Sequence, residues 1–272
     1  MNPLQRNIRL NSPKLRHPLR ALAGYLLQQS GYSENFSLSC DGYVLPFFRH
    51  SNLALTIWSD PDWNDPAEQF ASGWLRPGDI VVDAGANIGT FTATAALRVG
   101  PHGRVHAFEP HPQTFRAIKR TIQLNRFQNV DCHDMAPSDR SRLARISNLG
   151  RKDDCNHLVD EFSEGHDVSL TTLAEFMARE NLSRIDLLKI DVEGHELAVL
   201  RGLGPFAEKV TCIHVEVLPQ TLGRFGSKVS DITSWLHEAK FVLFRFAGDV
   251  DNLIAINKSA TVDRSQHDLE PL

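Results

Sequence analysis

Two periods of apolar and polar positions alternate along most of the chain. Short runs with strand character, "IVVDAG" (80–85), "VHAFEP" (105–110), "NVDCHDMA" (129–136), "IDLLKIDVEG" (185–194) and "VTCIHVEVLP" (210–219), are separated by stretches with helical spacing. After Ile88, apolar side chains recur at Phe91, Ala95, Ala96 and Val99, and in "HPQTFRAIKRTIQLN" at Phe115, Ile118, Ile122 and Leu124. Intervals of three and four residues put such positions on one helix face, whereas alternation marks a strand. "VSLTTLAEFMAREN" (168–181) begins extended and becomes helical, with Thr172 placed to cap the turn. "HELAVLRGL" and "VSDITSWLHEAK" read as further helices. Strands alternating with helices predict right-handed βαβ units and a mostly parallel sheet covered on both faces. "FVLFRFAGDVDNLIAINKS" (241–259) holds two strands and a short turn with no helix between them, which predicts one antiparallel strand.

The N-terminal part reads differently. "LRALAGYLLQQ" (19–29) predicts a short amphipathic helix packed on the main body, and "FSLSC", "YVLPFF" and "LALTIW" read as strand pieces of a β-rich lead-in. A helix is expected at about 66–75. The polar run 148–166 reads as a loop. With "WSDPDWNDPAE" (58–68) it is a candidate lid, with Trp58, Trp63 or Glu68 lining a pocket. The expected organisation is an N-terminal extension over 1–67, a main α/β domain over 68–258 and a tail over 259–272.

Composition narrows the class. In 272 residues, 42% hydrophobic and 23% charged describe an ordinary globular chain, and a net charge of −4 gives no reason to expect a nucleic-acid partner. No apolar run approaches the roughly 18 residues that a membrane span needs. Cys40, Cys132, Cys155 and Cys212 lie far apart with no metal-finger spacing, so free thiols in a reducing cytoplasm are expected. Arg6, Arg9, Lys14, Arg16 and Arg20 fall in a segment, 1–33, without an acidic residue. A basic arm touching anionic lipid or a partner is one reading of it, and a solvated tail before a packed helix is the preferred one.

Candidate chemistry begins in "VVDAGANIGTFT" (81–92), a strand, a glycine turn and a helix. Gly85 and Gly89 permit a tight turn and close approach of a ligand to the backbone. Such a turn after the first strand holds nucleotide-like cofactors. A nicotinamide cofactor brings a pyrophosphate and its usual fingerprint is GxGxxG. Here the order is D-x-G-x-N-x-G, with Asp83 beside the turn. A carboxylate there repels pyrophosphate and suits the amine of S-adenosylmethionine, so Asp83 and Asn87 favour that cofactor. Glu109, twenty residues after Gly89, ends the next strand, where a carboxylate accepts hydrogen bonds from ribose hydroxyls. Asp134, at the end of the third strand, is placed to meet an adenine amino group.

Together with "AFEPHP", "MAPSD" and "LLKIDVEGHE", this turn makes the chain resemble the FkbM family of S-adenosylmethionine-dependent methyltransferases, over about residues 68–245. The resemblance implies a class I methyltransferase (Rossmann-like) fold and methyl transfer, usually to a hydroxyl on a sugar, polyketide or other small metabolite. It also implies that Asp83, Gly85, Asn87, Gly89 and Glu109 hold the cofactor. At the far side of the cleft, alternation places Lys189, Asp191 and Glu193 on one side of a segment, and His214 and Glu216 on one side of the next strand. Asp191, His195 and Glu216 are the catalytic candidates. Either a carboxylate or His195 takes the acceptor's proton, or Asp191 and Glu216 bind a magnesium ion that acidifies a hydroxyl pair. Metal-free base catalysis is the favoured of the two. Lys189 is expected to pair with a neighbouring acid, and Glu193 to cap the following helix. A non-catalytic cofactor-binding subunit and a nicotinamide-dependent enzyme stay open as alternatives.

Overall fold

The computed structural model describes residues 17–60, 62–246, 249–260 and 269–272. Arg6, Arg9, Lys14 and Arg16 of the basic arm lie outside the described residues. Helix α1 (Pro18–Ser30) starts with proline in its first turn and stops at Gly31, whose φ of 78° is the left-handed geometry that favours glycine. It is fastened to the body by the buried Gln28, whose Nε2 donates to the carbonyls of Phe48 (2.9 Å) and Ser51 (2.8 Å). Trp58 Nε1 donates to the Arg20 carbonyl at 2.9 Å. Strands β1 (Ser37–Ser39) and β2 (Val44–Pro46) form an antiparallel hairpin. The next piece corrects the sequence reading: "LALTIW" is not a strand but part of helix α2 (Asn52–Ser59). Its apolar run hides a helical start signal, Ser51, whose side chain accepts from the Ala54 N–H at 3.0 Å. Asp65 opens α3 (Pro66–Trp74) in the same way, accepting from Ala67 and Glu68.

The main sheet follows as β3 (Ile80–Ala84), helix α4 (Thr90–Val99), β4 (Arg104–Phe108), helix α5 (Pro112–Asn125) and β5 (Val130–His133). The chain then leaves the sheet. β6 (Ala136–Pro137), β7 (Arg142–Ser147), β8 (Leu158–Val159) and β9 (Gly165–Thr171) build a separate four-stranded sheet in the order β6-β9-β7-β8. The expected loop 148–166 thus carries β8 and the start of β9, and "NVDCHDMA" divides between two sheets. Helix α6 (Leu173–Arg179), capped by Thr172 as the sequence predicts, returns the chain to β10 (Leu187–Ile190). Helix α7 (Glu196–Arg201), β11 (Cys212–Glu216), helices α8 (Pro219–Leu222) and α9 (Val229–Glu238), β12 (Phe241–Phe246) and β13 (Asn252–Asn257) complete the body. The main sheet has the order β14-β12-β13-β11-β10-β3-β4-β5. β13 lies antiparallel between β11 and β12, as expected; β14 (Leu269–Pro271), from the tail, pairs antiparallel with β12 and forms the edge of the sheet.

Both faces of this sheet are buried. Leu173, Phe176, Ile232 and Leu236 pack on one face; Phe70, Phe91 and Val99 pack on the other. The chain order reverses between β3 and β10, the switch point at which open α/β sheets bind ligands beyond the carboxyl ends of their strands.

Candidate active site

A cavity of about 290 Å³ opens at that switch point. On the β3–β4 side its wall is the glycine turn. Gly85 has φ 89°, and a Cβ there would stand 1.8 Å from the Asp191 carbonyl oxygen, so the end of β10 leaves room only for glycine. Asn87 turns the chain with φ 50° and its N–H donates to Glu109 Oε2 at 2.8 Å. Asn87 Oδ1 is buried with no hydrogen-bond partner among the described residues. Gly89, φ 92°, lies behind the wall, where a Cβ would press on Ile118.

Glu109 is buried and lines the cavity. Its Oε1 accepts from the His111 N–H (2.9 Å) and the Thr114 hydroxyl (2.7 Å). A carboxylate has about four acceptor sites. The Asn87 bond fills a third and leaves one on Oε2 for a ligand hydroxyl. Burial pushes this carboxyl up to about 7, against the pull of its three donors.

Asp83 is placed differently from the sequence reading. It is fully enclosed and absent from the cavity wall. Its Oδ2 accepts from Thr92 Oγ1 at 2.6 Å, and its Oδ1 lies 3.6 Å from Lys189 Nζ. The sequence supplied the acid but not its partner. Lys189 stands directly opposite Asp83 across β3 and β10, and opposite His214 across β10 and β11. Lys189 Nζ also meets Asp191 Oδ2 at 3.2 Å, the pairing expected of it. Burial acts to lower its pKa, but Asp191, Asp83 and Asp65 together hold it above its ordinary value. Asp83 therefore acts on the cavity through Lys189. Asp134 is exposed in the turn between β5 and β6 and is likewise not on the wall; Ala136 and Pro137 are.

The β10–β11 side, which abuts the glycine turn at Asp191, carries Asp191, Glu193, His195, His214 and Glu216, which the topology brings together as the sequence predicts. Glu193 takes φ 56° and pairs with Arg224 (3.3 Å) instead of capping α7. Glu196, the first residue of α7, ties down the loop before the helix, its Oε1 accepting from the N–H groups of Val192 (3.2 Å) and Gly194 (2.9 Å). His195 Nε2 lies 2.9 Å from Ser138 Oγ, whose hydroxyl donates to Asp139 at 3.3 Å. With that proton so directed, Nε2–H donates to Ser138 and Nδ1 keeps the ring's lone pair. Burial lowers the pKa of His195, so the imidazole is neutral near pH 7.

Sequence reading missed the contributions of Asp65, Asp153 and Asp154 to the wall. The last two come from the segment beyond β7, tied down by α2: Asp153 Oδ1 accepts from the Asn52 N–H at 2.7 Å and Asp154 Oδ2 from Asn52 Nδ2 at 2.6 Å. The Asp153 carbonyl accepts from Asn87 Nδ2 at 3.3 Å, which joins this flap to the glycine turn. Of the expected lid residues, Trp63 lines the cavity; Trp58 and Glu68 line a second one on the other side of α3. Among the described residues no three His, Cys, Asp or Glu side chains cluster as metal ligands, and no helix is long and apolar enough to cross a membrane. Cys40, Cys132, Cys155 and Cys212 are free.

A mostly parallel sheet with a reversed strand at β13, helices on both faces and a cavity at the β3–β10 switch point defines the class I methyltransferase architecture. The family model described as "Methyltransferase FkbM domain" matches residues 83–243, more than half of the chain, and the chain belongs to that family. It is 35% identical over 145 residues to "Methyltransferase 1" of Beauveria bassiana, covering 46% of this chain and 58% of that one. It is 32% identical over 161 residues to "31-O-demethyl-FK506 methyltransferase FkbM" of Streptomyces tacrolimicus, covering 47% and 61%. The chain thus spans about three fifths of the length of these curated relatives. Among solved structures, "Methyltransferase FkbM" from Methylobacillus flagellatus KT shares the fold, with a TM-score of 0.50 and 15% identity over 91% of this chain and 60% of that one.

Proposed function

We propose that the protein transfers a methyl group from S-adenosylmethionine to a hydroxyl oxygen of a small metabolite, polyketide or sugar. The observation that carries this reading is the division of one cavity between two sets of groups. Glu109 with its open acceptor site and the orphaned Asn87 Oδ1 line it from the β3–β4 side; His195, Asp191 and Glu216 line it from the β10–β11 side. The first set fits an adenosyl group: Glu109 Oε2 accepts a ribose hydroxyl, and Asn87 offers a buried acceptor that lacks a donor. Asp83 holds Lys189 in place beneath the turn, and Gly85 keeps the wall thin. In this reading the extension over 1–67 is part of the working site, since Leu53, Trp63 and Asp65 line the same cavity as the domain over 68–258.

When bound, S-adenosylmethionine supplies a methyl carbon already activated on a sulfonium. The chain's own residues have four tasks. His195 accepts the hydroxyl proton at Nδ1, so that the oxygen is free to form the new carbon–oxygen bond. Ser138 and Asp139 hold the ring in the tautomer that can do this. The flap with Asp153 and Asp154 excludes water and aligns the acceptor; well-oriented groups are worth on the order of 7–11 kcal/mol. Asp191 keeps Lys189 paired at the cavity edge. The chemistry proceeds without a metal ion in this reading.

The test is a screen of hydroxylated metabolites with a labelled methyl donor, with and without a chelator. Labelled product in both arms is expected. Cofactor binding without turnover on any acceptor points to a non-catalytic subunit, and loss of turnover with chelator points to magnesium held by Asp191 and Glu216. Tighter binding of NAD than of S-adenosylmethionine would overturn the cofactor.

A further inference from the structure

Besides Glu109, six carboxyl residues line the cavity: Asp65, Asp153, Asp154, Asp191, Glu193 and Glu216. Against them stands one lysine or arginine among the described residues, Lys189, and it is already held by Asp83 and Asp191. Five of the six acids have partners within the chain. Asp65 caps α3, Asp153 and Asp154 bond to Asn52, Asp191 pairs with Lys189, and Glu193 pairs with Arg224. Glu216 differs. It ends β11 beside Asn252 and makes no hydrogen bond or ion pair with the described residues; its Oε2 is buried, as is the unpaired Oδ2 of Asp153, whose other oxygen is bonded to Asn52. Two residues earlier on the same side of the strand, His214 is 1% exposed and lines the cavity; neither ring nitrogen makes a hydrogen bond, and Nε2 lies 3.8 Å from Asp249 Oδ2. An orphaned buried carboxyl in a field of other carboxyls is costly in the empty protein.

We propose that the acceptor carries a protonated amine close to the hydroxyl that is methylated, and that Glu216 receives this amine. The inference rests on the methyl-transfer reading above and specifies its substrate class. A carboxylate or phosphate on the acceptor would meet Asp153, Asp154 and Asp191 with no free cation among the described lining residues to offset it. A neutral hydroxyl would hydrogen-bond to Glu216 but leave the surrounding carboxyls without a cation. An ammonium makes that bond and offsets the charge. It has no lone pair of its own, so the methyl group goes to the neighbouring oxygen, whose proton goes to His195; the ammonium keeps its protons throughout. Burial, with Asp191 and Glu193 adding to it, pushes the Glu216 carboxyl up to about 9. A bound cation reverses that effect. Binding of an amine near pH 7.5 therefore ionises Glu216 and releases a proton.

The experiment uses three matched sets, amino sugars, their N-acetyl derivatives and the corresponding uronic acids, with the full chain and with Glu216→Gln. Each is assayed with labelled donor, and each is titrated calorimetrically into protein loaded with S-adenosylhomocysteine, in two buffers of different ionisation enthalpy. Amino sugars are expected to exceed their N-acetyl derivatives about thirtyfold or more in kcat/KM, the size associated with truncating one partner of a buried charge pair. They are expected to release protons on binding, and Glu216→Gln is expected to abolish both effects. Equal or better use of the neutral or acidic set overturns the proposal, as does a preference that survives in Glu216→Gln or an absence of any amine binding. Turnover of neutral acceptors leaves the methyltransferase reading intact while this inference falls. Failure to bind S-adenosylhomocysteine at all removes the reading beneath it.

Discussion

At the scale of single residues, the buried pair Asp83–Lys189 shows how an acid can serve a ligand it does not touch. Asp83 fixes Lys189 across neighbouring strands, and Lys189 in turn reaches Asp191 and, at 3.4 Å, the Gly85 carbonyl at the cavity edge. Removing one partner of a buried pair typically costs about 3–5 kcal/mol. Asp83→Ala is therefore expected to lower stability by that order in urea unfolding. In calorimetry it is expected to weaken S-adenosylhomocysteine binding at least about tenfold, since 1.4 kcal/mol suffices for that factor. A folded variant with unchanged binding would remove Asp83 from the site. His195→Ala is expected to do the opposite: turnover falls about a hundredfold or more, the usual worth of a positioned base, while cofactor affinity holds. Equal turnover would move the base elsewhere. The motif residues themselves were legible, because Gly85, Asn87 and Glu109 sit at positions fixed by a strand, a turn and the next strand. The direction of Asp83 was not, because alternation tells which side of a strand a residue occupies and not what faces it.

At the scale of elements, the segment between β7 and β9 and the helix α2 form one device. Asp153 serves as an acceptor for the first N–H of α2, and through its carbonyl it holds the Asn87 side chain. Asp153→Ala is expected to cost about 1 kcal/mol as a lost helix cap. It is also expected to raise KM for the acceptor several-fold with a smaller effect on kcat, because the flap loses its tie while His195 keeps its bond to Ser138. Steady-state kinetics on the first acceptor identified checks this, and an unchanged KM would separate the flap from substrate binding. The sequence marked 148–166 as a polar stretch of lid length. It hid β8 and the start of β9, since two-residue pairings such as β8 on β7 carry no periodicity of their own. The strand assigned to "LALTIW" failed for a related reason. A run of apolar and β-branched residues fits either element, and here the Ser51 cap and the packing of α1 decided for helix.

At the scale of the whole molecule, buried titratable groups set the response to pH. Burial raises Glu68, Glu109 and Glu196 to about 7 and Glu216 to about 9, and lowers His106, His111 and His214 to about 4. A carboxyl whose folded value lies above its unfolded one holds extra protons in the native state, so its stabilisation is present at low pH and is lost as pH rises through the folded value. The histidines run the other way: their contribution is full above the unfolded value near 6.5 and is lost as pH falls towards 4. Stability of the ligand-free protein is therefore expected to peak near pH 5 and to decline by about 2 kcal/mol or more from pH 6 towards pH 9. Glu216→Gln is expected to flatten the part between pH 7 and 9. Urea midpoints across this range check both, and a steady rise from pH 6 to 9 would contradict the assignment of protons to these carboxyls.

The sequence by itself determined the βαβ order, the reversed strand near the end, the glycine turn with Glu109 one strand on, and the carboxylates and histidines after the fourth and fifth strands. These follow from local periodicity and from spacings that the backbone geometry of strands and turns makes rigid. Only the tertiary structure decided that Asp83 is turned to Lys189 and closed off from the cavity, that Asp65, Asp153 and Asp154 complete the wall, and that Glu216 has no hydrogen-bond or ion-pair partner among the described residues. Those facts depend on contacts between residues about a hundred positions apart, such as Asn52 with Asp153 and Lys189 with Asp83. Such contacts are set by how layers of the fold pack on each other, a property that leaves no periodic trace along the chain.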